Sequence, residues 1–361
     1  MKKILAIALS VLLVSLALSG CQNTQPSADQ TTEAKTDAPT TLAPTTEAPT
    51  TEEPETEAPT DPEPVLPETV RIGSLKGPTT MGLVNLMKSA ENGGGKLPYE
   101  FTMETQADVV ATALVSGKLD IALIPANLAA VLNNKTKGGL VVLNVNTLGV
   151  LYCVTGDESV KSVKDLAGRE VIMTGQGTTP EYALRYLLDK NGITDCTLNF
   201  KSEATEVAAV LAENANQVAV LPQPFVTVAQ AQNQALKTAF SLSDAWDEVS
   251  TDGSRMLTGV TVVRRAFLEE YPDAVKLFLE DHAESTEKAN TDVDGTAELV
   301  AAYEIIPKAP LAKKALPQCN IVCLTGEEMK TALSGYLKAL FDANPASVGG
   351  ALPEDSFYYV P

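Results

Sequence analysis

Two stretches of the chain gather residues able to grip a small molecule. Ser74, Lys76, Thr79 and Thr80 share one segment with Gly73 and Gly77; Gln176, Thr178 and Thr179 share another with Gly175 and Gly177. Each segment precedes an apolar-periodic run that predicts a helix, so each would present free backbone amides at a helix N-terminus. Such an end, with its dipole behind it, welcomes an anion or an electronegative ring atom, and the glycines let the backbone come close. Asn127, just after an apolar run and a proline, together with Thr147 and Gln223, completes the candidate binding set. The threonines serve equally well as N-caps of their own helices, and Lys76 as a solvated loop charge. No arginine falls in these loops; Arg169 lies at the start of an apolar run and Arg255 well downstream. Sulfonate and phosphate recognition commonly uses a bidentate arginine. A neutral or aromatic ligand such as a pyrimidine is therefore equally allowed, with Tyr152, Tyr182 and Phe225 near enough to stack on a ring.

Composition narrows the chemistry further. The 361 residues carry 27 basic and 46 acidic side chains, a net charge of −19, which argues against nucleic acid as a partner because phosphate binding needs a basic face. The one histidine, His282, makes a multi-histidine metal centre or Ser-His-Asp catalysis improbable. Its neighbours Asp281, Glu284 and Glu287 predict a surface position on an amphipathic helix. There is no CxxC pair to suggest zinc, and no cofactor or metal is expected. Cys319 and Cys323 flank Ile321 and Val322, which favour a strand; four residues of strand span about 13 Å, too far to bridge, whereas a helix or turn would bring them closer. The pairing of Cys153, Cys196, Cys319 and Cys323 stays open.

The elements that must position these residues read as two similar α/β halves. The first begins with a short strand at Val70–Gly73 and continues through a loop at Ser74–Thr80. A helix carrying Leu83, Val84 and Met87 follows, then a half-buried strand in which Tyr99, Phe101 and Met103 alternate with polar residues. A helix on Val109, Val110, Ala113 and Leu114 leads to a continuous apolar strand, Ile121–Ile124, that stops at Pro125. The second half repeats that order: strand Glu170–Met173, loop Thr174–Thr179, helix from about Pro180 to Asp189, strand at Leu198 and Phe200, helix on Val207, Val210 and Leu211, and strand Val218–Leu221 before Pro222. Two β-α-β-α-β units of nearly equal length predict two small parallel-sheet lobes. A further strand at Gly259–Val263 and helices at about Phe267–Glu280 and Glu327–Leu340 suggest that the chain returns to the first lobe. The crossings are expected near Tyr152–Thr155 and Leu257–Thr261, forming a hinge. Ligands of open parallel sheets sit beyond the carboxyl ends of the strands, which here are the loops named above, including Pro125–Leu128 and Thr147–Gly149. Trp246 is placed either in the region between the lobes or on a rim.

The N-terminal residues belong to processing and tethering. Lys2 and Lys3 precede an apolar run, Ile4 to Ala17, that ends in Leu18-Ser19-Gly20-Cys21. This resembles the lipobox of bacterial lipoproteins, which implies a signal peptide over residues 1–20 and lipid attachment to the Cys21 sulfur. Residues 22–69 hold 13 Thr, 9 Pro, 8 Glu and 3 Asp, with a proline every fifth residue from Pro39 to Pro59, a composition that cannot bury a core. Residues 21–69 are expected to act as a disordered spacer, reaching about 150 Å if fully extended.

The layout as a whole resembles the type II periplasmic-binding fold, specifically the nitrate/sulfonate/thiamine-precursor class of ABC-transporter substrate-binding proteins. The resemblance rests on Arg71-Ile72-Gly73-Ser74-Leu75-Lys76-Gly77-Pro78-Thr79-Thr80-Met81-Gly82 and on Gly117 to Pro125. It rests equally on Ser162 to Gly168 and on Leu221-Pro222-Gln223-Pro224, in that order, over roughly residues 70–345. It implies an α/β fold of two lobes around a hinged cleft: residues 70–152 and 258–361 in the first lobe, 153–257 in the second. It also implies an extracytoplasmic, lipid-anchored, non-enzymatic monomer. That monomer would hand a small solute (a sulfonate, nitrate or thiamine-precursor-like molecule) to an ABC permease and its ATPase. Relatives often carry Glu-Pro where this chain has Gln223-Pro224, so an inference of a cationic ligand group is weakened. A ligand sensor or surface-interaction clamp is the alternative. An enzyme on the same fold is disfavoured by the lipobox and by the lack of a histidine in the expected cleft.

Overall fold

The structure, a computed structural model, describes residues 64–361. The signal peptide, Cys21 and residues 22–63 of the spacer lie outside the described residues. Pro64 to Thr69 run without regular structure into the first strand.

The chain forms β1 (Val70–Leu75), α1 (Pro78–Met81), α2 (Val84–Glu91), β2 (Tyr99–Glu104), α3 (Ala107–Val115), β3 (Ile121–Pro125), α4 (Ala126–Lys135) and β4 (Leu140–Leu148). It then passes to β5 (Leu151–Thr155), β6 (Glu170–Met173), α5 (Thr179–Lys190), β7 (Thr197–Phe200), α6 (Ala204–Glu213), β8 (Val218–Pro222), α7 (Phe225–Gln232), β9 (Lys237–Ser241) and α8 (Leu242–Val249). The return comprises β10 (Leu257–Arg264), α9 (Arg265–Glu270), α10 (Pro272–Thr291), α11 (Val293–Ala302), α12 (Ala309–Ala315), β11 (Ile321–Leu324) and α13 (Gly326–Ala343).

The strands form two sheets, ordered β11-β4-β10-β3-β1-β2 and β7-β6-β8-β5-β9. The repeated half-units are visible: β2-β1-β3 and β7-β6-β8 are parallel, each with its helices as crossovers. The sheets are not wholly parallel, however. β10 runs antiparallel between β3 and β4, β11 antiparallel to β4, and β5 antiparallel to both β8 and β9. The returning chain inserts β10 into the middle of the first sheet, which no local pattern foretells. The crossings also differ from expectation: Tyr152–Thr155 and Leu257–Thr261 are full members of one sheet each. The chain passes between sheets at Gly149–Val150 and again over residues 250–256.

Three further expectations are corrected. Residues 125–128 are not a loop, because α4 starts at Ala126 directly after Pro125. The helix expected at Phe267–Glu280 is two helices, broken at Tyr271, with Pro272 starting the second, where a missing N–H costs nothing. His282 is fully buried on α10, stacked on Phe278 with ring centroids 5.4 Å apart; of its acidic neighbours Glu284 and Glu287 are exposed, while Asp281 is buried as well and accepts from the Tyr99 hydroxyl at 2.6 Å and the Lys96 amide at 2.7 Å.

One hydrophobic cluster spans both sheets, running from Ala122, Ile124 and Val145 through Leu148 and Leu151 to Leu184, Leu187 and Val220. α13 lies in it, packed against α4 and β4 on one side and α5 on the other. Trp246, on α8, is at its centre rather than at a rim: it stacks on Tyr186 at 4.0 Å, leans on Tyr336 at 5.5 Å, and its Nε1 donates to Ser254 Oγ at 3.1 Å. Between the sheets, Gly149 has no room for a side chain. A Cβ there would meet Ser243 Oγ and come within 2.8 Å of Met256 Cγ, while its carbonyl accepts from Ser243 Oγ (2.9 Å) and Asn320 Nδ2 (2.6 Å).

Candidate functional site

A cavity of about 340 Å³ lies between the two sheets, at the lower end of the size range for small-molecule sites. One wall is Pro125, Ala126 and Asn127, where β3 ends and α4 begins. The facing wall is Thr174 and Thr178–Pro180, where β6 gives way to α5, with Pro222 at the end of β8. Val150 and Met256 from the two crossings, Leu151 at the start of β5, Leu257 and Thr258 at the start of β10, and Tyr336 of α13 complete the lining. This is the position sheet physics assigns: outside the carboxyl ends of β3, β6 and β8. The walls are mainly apolar. The polar groups are the Asn127 amide, four threonine hydroxyls and the Tyr336 phenol; no Asp, Glu, Lys, Arg or His lines the cavity.

Of the ten binding candidates, the cavity collects Asn127, Thr178 and Thr179. Asn127 Nδ2 donates to the Ser347 carbonyl at 3.2 Å. Thr178, the N-cap residue of α5, turns its hydroxyl back to the Gly175 carbonyl at 2.7 Å instead of capping the helix. Gly175 and Gly177 take positive φ, 85° and 70°, which shapes this turn. Gln176 stands exposed on the same loop, away from the lining.

The remaining candidates are placed elsewhere. Ser74 is buried at the end of β1, and Thr79 and Thr80 donate to the Leu75 carbonyl, Thr79 at 3.4 Å. Lys76 pairs with Glu304 at 3.7 Å, a half-exposed contact worth little. Thr147 is buried in β4, its hydroxyl on Asn146 Oδ1 at 2.9 Å. Gln223 is buried and joins the lobes: its Nε2 donates to Gln318 Oε1 at 2.8 Å while its Oε1 accepts from Thr227 Oγ1 at 3.0 Å.

The aromatic candidates hold structure rather than line the cavity. Tyr152 donates to the Gln318 carbonyl at 2.6 Å, and burial pushes its phenol up to about 12. Tyr182 donates to Gly177 O at 3.0 Å and accepts from Asn344 Nδ2 at 2.7 Å. Phe225 packs on the outer core of the second sheet. Arg169 and Arg255 are paired with Asp157 and Asp247.

Sequence reasoning missed Tyr336, Met256, Leu257, Thr258, Val150 and Leu151 as lining residues. Nothing local marks them: Tyr336 reads as one more apolar position on an amphipathic helix, and only the packing of α13 brings it to the cleft.

The four described cysteines are free. Burial pushes the thiols of Cys153 and Cys319 up to about 12 and that of Cys323 to about 11, so they are protonated and unreactive. Among the described residues no cluster of three His, Cys, Asp or Glu side chains is placed to hold a metal ion, and no helix is long and apolar enough to cross a membrane.

These features define an α/β fold of two sheets with a mainly apolar cavity between them. Residues 91–279 match the family of ABC-transporter phosphonate periplasmic substrate-binding proteins, and the chain belongs to that family. No curated protein matches the sequence. Among solved structures, an ABC transporter protein from Parabacteroides distasonis superposes with a TM-score of 0.69 at 23% identity, over 82% of this chain and 99% of that one. The periplasmic aliphatic sulphonate binding protein SsuA of Escherichia coli gives 0.64 at 16% identity, over 82% and 93%. The alkanesulfonate-binding protein SsuA of Xanthomonas axonopodis, bound to MOPS, gives 0.56 at 15% identity, over 81% and 97%. At these identities the likeness establishes the shared fold. Family membership makes this protein a substrate-binding component of an ABC transporter.

Proposed function

We infer that the protein captures a small solute in the cavity between its two sheets and delivers it to an ABC importer. It would do so as a non-enzymatic monomer held on the outer face of the cytoplasmic membrane by lipid on Cys21. The residues up to Gly149 and from Leu257 onward act as one lobe and those between the two crossings as the other, with Asn127, Thr178 and Thr179 among the ligand contacts. The observation that carries this reading is the cavity itself: both half-units bring strand ends and helix starts to one cleft, open to solvent, beside the two crossings. The family name speaks of phosphonates and the titles of two neighbours of sulphonates; nitrate and thiamine-precursor-like pyrimidines complete the set that the sequence resemblance implies.

The test is titration of the purified protein with phosphonates, sulfonates, nitrate and pyrimidine thiamine precursors, read by native mass spectrometry and thermal unfolding. One solute should bind one to one. Asn127→Ala should weaken it about tenfold while costing only the Ser347 hydrogen bond, about 1 kcal/mol of stability. Unchanged affinity would remove Asn127 from the site. Cys21→Ala should move the protein from the membrane fraction to the soluble fraction, and a membrane-bound variant would exclude the lipid anchor.

A further inference from the structure

Tyr336 stands out from the rest of the lining. It is fully buried, and its hydroxyl makes no hydrogen bond of good geometry within the protein, although the Thr179 side chain lies close by. Leaving a buried phenol without a partner is costly, so its retention needs a reason. The ring is not loosely held. It leans on Trp246, itself stacked on Tyr186 and tied to Ser254, so the hydroxyl is fixed where α13 meets the start of α5. Burial holds the phenol well above its ordinary value, tempered by nearby Thr179, so it is a neutral donor.

Its surroundings tell what it would meet. The other polar lining groups are uncharged, and two are already turned to the protein: Asn127 Nδ2 to Ser347 and Thr178 Oγ1 to Gly175. Helices α4 and α5, of 10 and 12 residues, both begin at the cavity, adding the positive ends of two dipoles. The closest carboxylate on α5, Glu181, is committed to the Gly177 amide and to Arg185, both at 2.7 Å. A ligand ammonium would enter this space with no carboxylate to compensate its lost hydration. An acceptor head group on an apolar body fits.

We propose that Tyr336 is a recognition residue of the cleft, donating its hydroxyl hydrogen bond to an acceptor group of a solute that carries no cationic amine. This rests on the receptor reading above. The acceptor is the oxygen of a phosphonate or sulfonate, or the ring nitrogen or carbonyl of a neutral heterocycle.

The full-length protein and its Tyr336→Phe variant are titrated calorimetrically with ethylphosphonate, phenylphosphonate and ethanesulfonate. The amine-bearing counterparts 2-aminoethylphosphonate and taurine, and neutral pyrimidine, complete the series. The expected result is binding of an amine-free member, weakened about tenfold in Tyr336→Phe, with the unliganded variant melting at or above the wild-type temperature. Anionic and neutral members distinguish the two acceptor sources. Preference for an amine-bearing member, equal affinity of the variant, or a variant melting more than about 3 °C lower would overturn the proposal, the last by giving the hydroxyl a structural role. If the wild type binds none of this series and none of the solutes titrated above, the receptor reading fails and takes the proposal with it. If the wild type binds and the variant binds as well, the proposal alone falls.

Discussion

Asp120→Ala is expected to destabilise the protein by about 3 kcal/mol. Asp120 is 2% exposed and sits immediately before β3, at the end of the first sheet remote from the cavity. Its Oδ2 accepts from the backbone N–H of Arg71 at 3.0 Å and from Arg71 Nε at 2.9 Å; its Oδ1 accepts from Arg71 at 2.7 Å and Arg264 at 2.6 Å. Arg71 belongs to β1 and Arg264 to β10, the two neighbours of β3, so one carboxylate pins three central strands together. Alanine would leave two guanidinium groups and a backbone amide facing an empty polar space. Because Arg71 and Arg264 keep 39% and 24% of their side chains in solvent, water repairs part of the loss, which places the cost at the lower end of the range for broken buried pairs.

Burial pushes the Asp120 carboxyl up, but the Arg71 hydrogen bonds, with help from Arg264, win and hold it below its ordinary value. A depressed carboxyl contributes stability that is present above the unfolded pKa, about 3.9, and is lost as pH falls through the folded one. The gap between wild type and Asp120→Ala should therefore be full at neutral pH and close in acid. Urea unfolding at pH 7 and pH 3 measures both. A difference under 1 kcal/mol at pH 7 would show that the cluster is solvated and contributes little.

Acid should weaken the protein through His282 as well, by about 3 kcal/mol between pH 6.5 and pH 4. The imidazole is fully buried between α10 and the first sheet. The Asn144 side-chain amide, as oriented, donates to Nδ1 at 3.1 Å, which leaves the ring proton on Nε2, where it has no partner. Burial pushes the pKa down from 6.5 to about 4. The unfolded chain thus binds a proton in this window that the folded chain refuses. Stability is full above pH 6.5 and falls as pH drops toward 4. His282→Gln should flatten that slope relative to wild type, as measured by urea unfolding across the window. Since this is the chain's one histidine, a single imidazole resonance reports its titration directly in the folded protein. A midpoint near 6.5 would mean that water reaches the ring, and the predicted slope would be absent.

His282 also shows where local reading fails. Its charged neighbours Asp281, Glu284 and Glu287 made it look exposed, yet one helix carries both faces, and which face is covered depends on what packs there. Only the arrival of β4 and β11 beneath α10, with Asn144 and Cys323 around the ring, buries it. Tyr336 makes the same point for the site. Its distance in sequence from Asn127 and Thr179 hides the fact that α13 wedges against both α4 and α5.

By itself the sequence determined the repeated β-α-β-α-β units, since strand alternation, continuous apolar runs and helix periodicity are local signals set by the faces each element must bury. It assigned, too, the ends of β3 and β6 to one cleft, because a parallel unit directs its strand ends and helix starts to one side, but the same rule put Ser74–Thr80 there, and the cavity leaves that segment out. The matched order of those units carried the family resemblance. Tertiary structure alone decided that β10 enters the first sheet antiparallel between β3 and β4, that Gln223 joins the lobes through Gln318, and that Tyr336 closes the cavity. Those outcomes depend on long-range pairing and shape fit. The free energy of these contacts comes from surfaces brought together across the chain, and no window of neighbouring residues contains it.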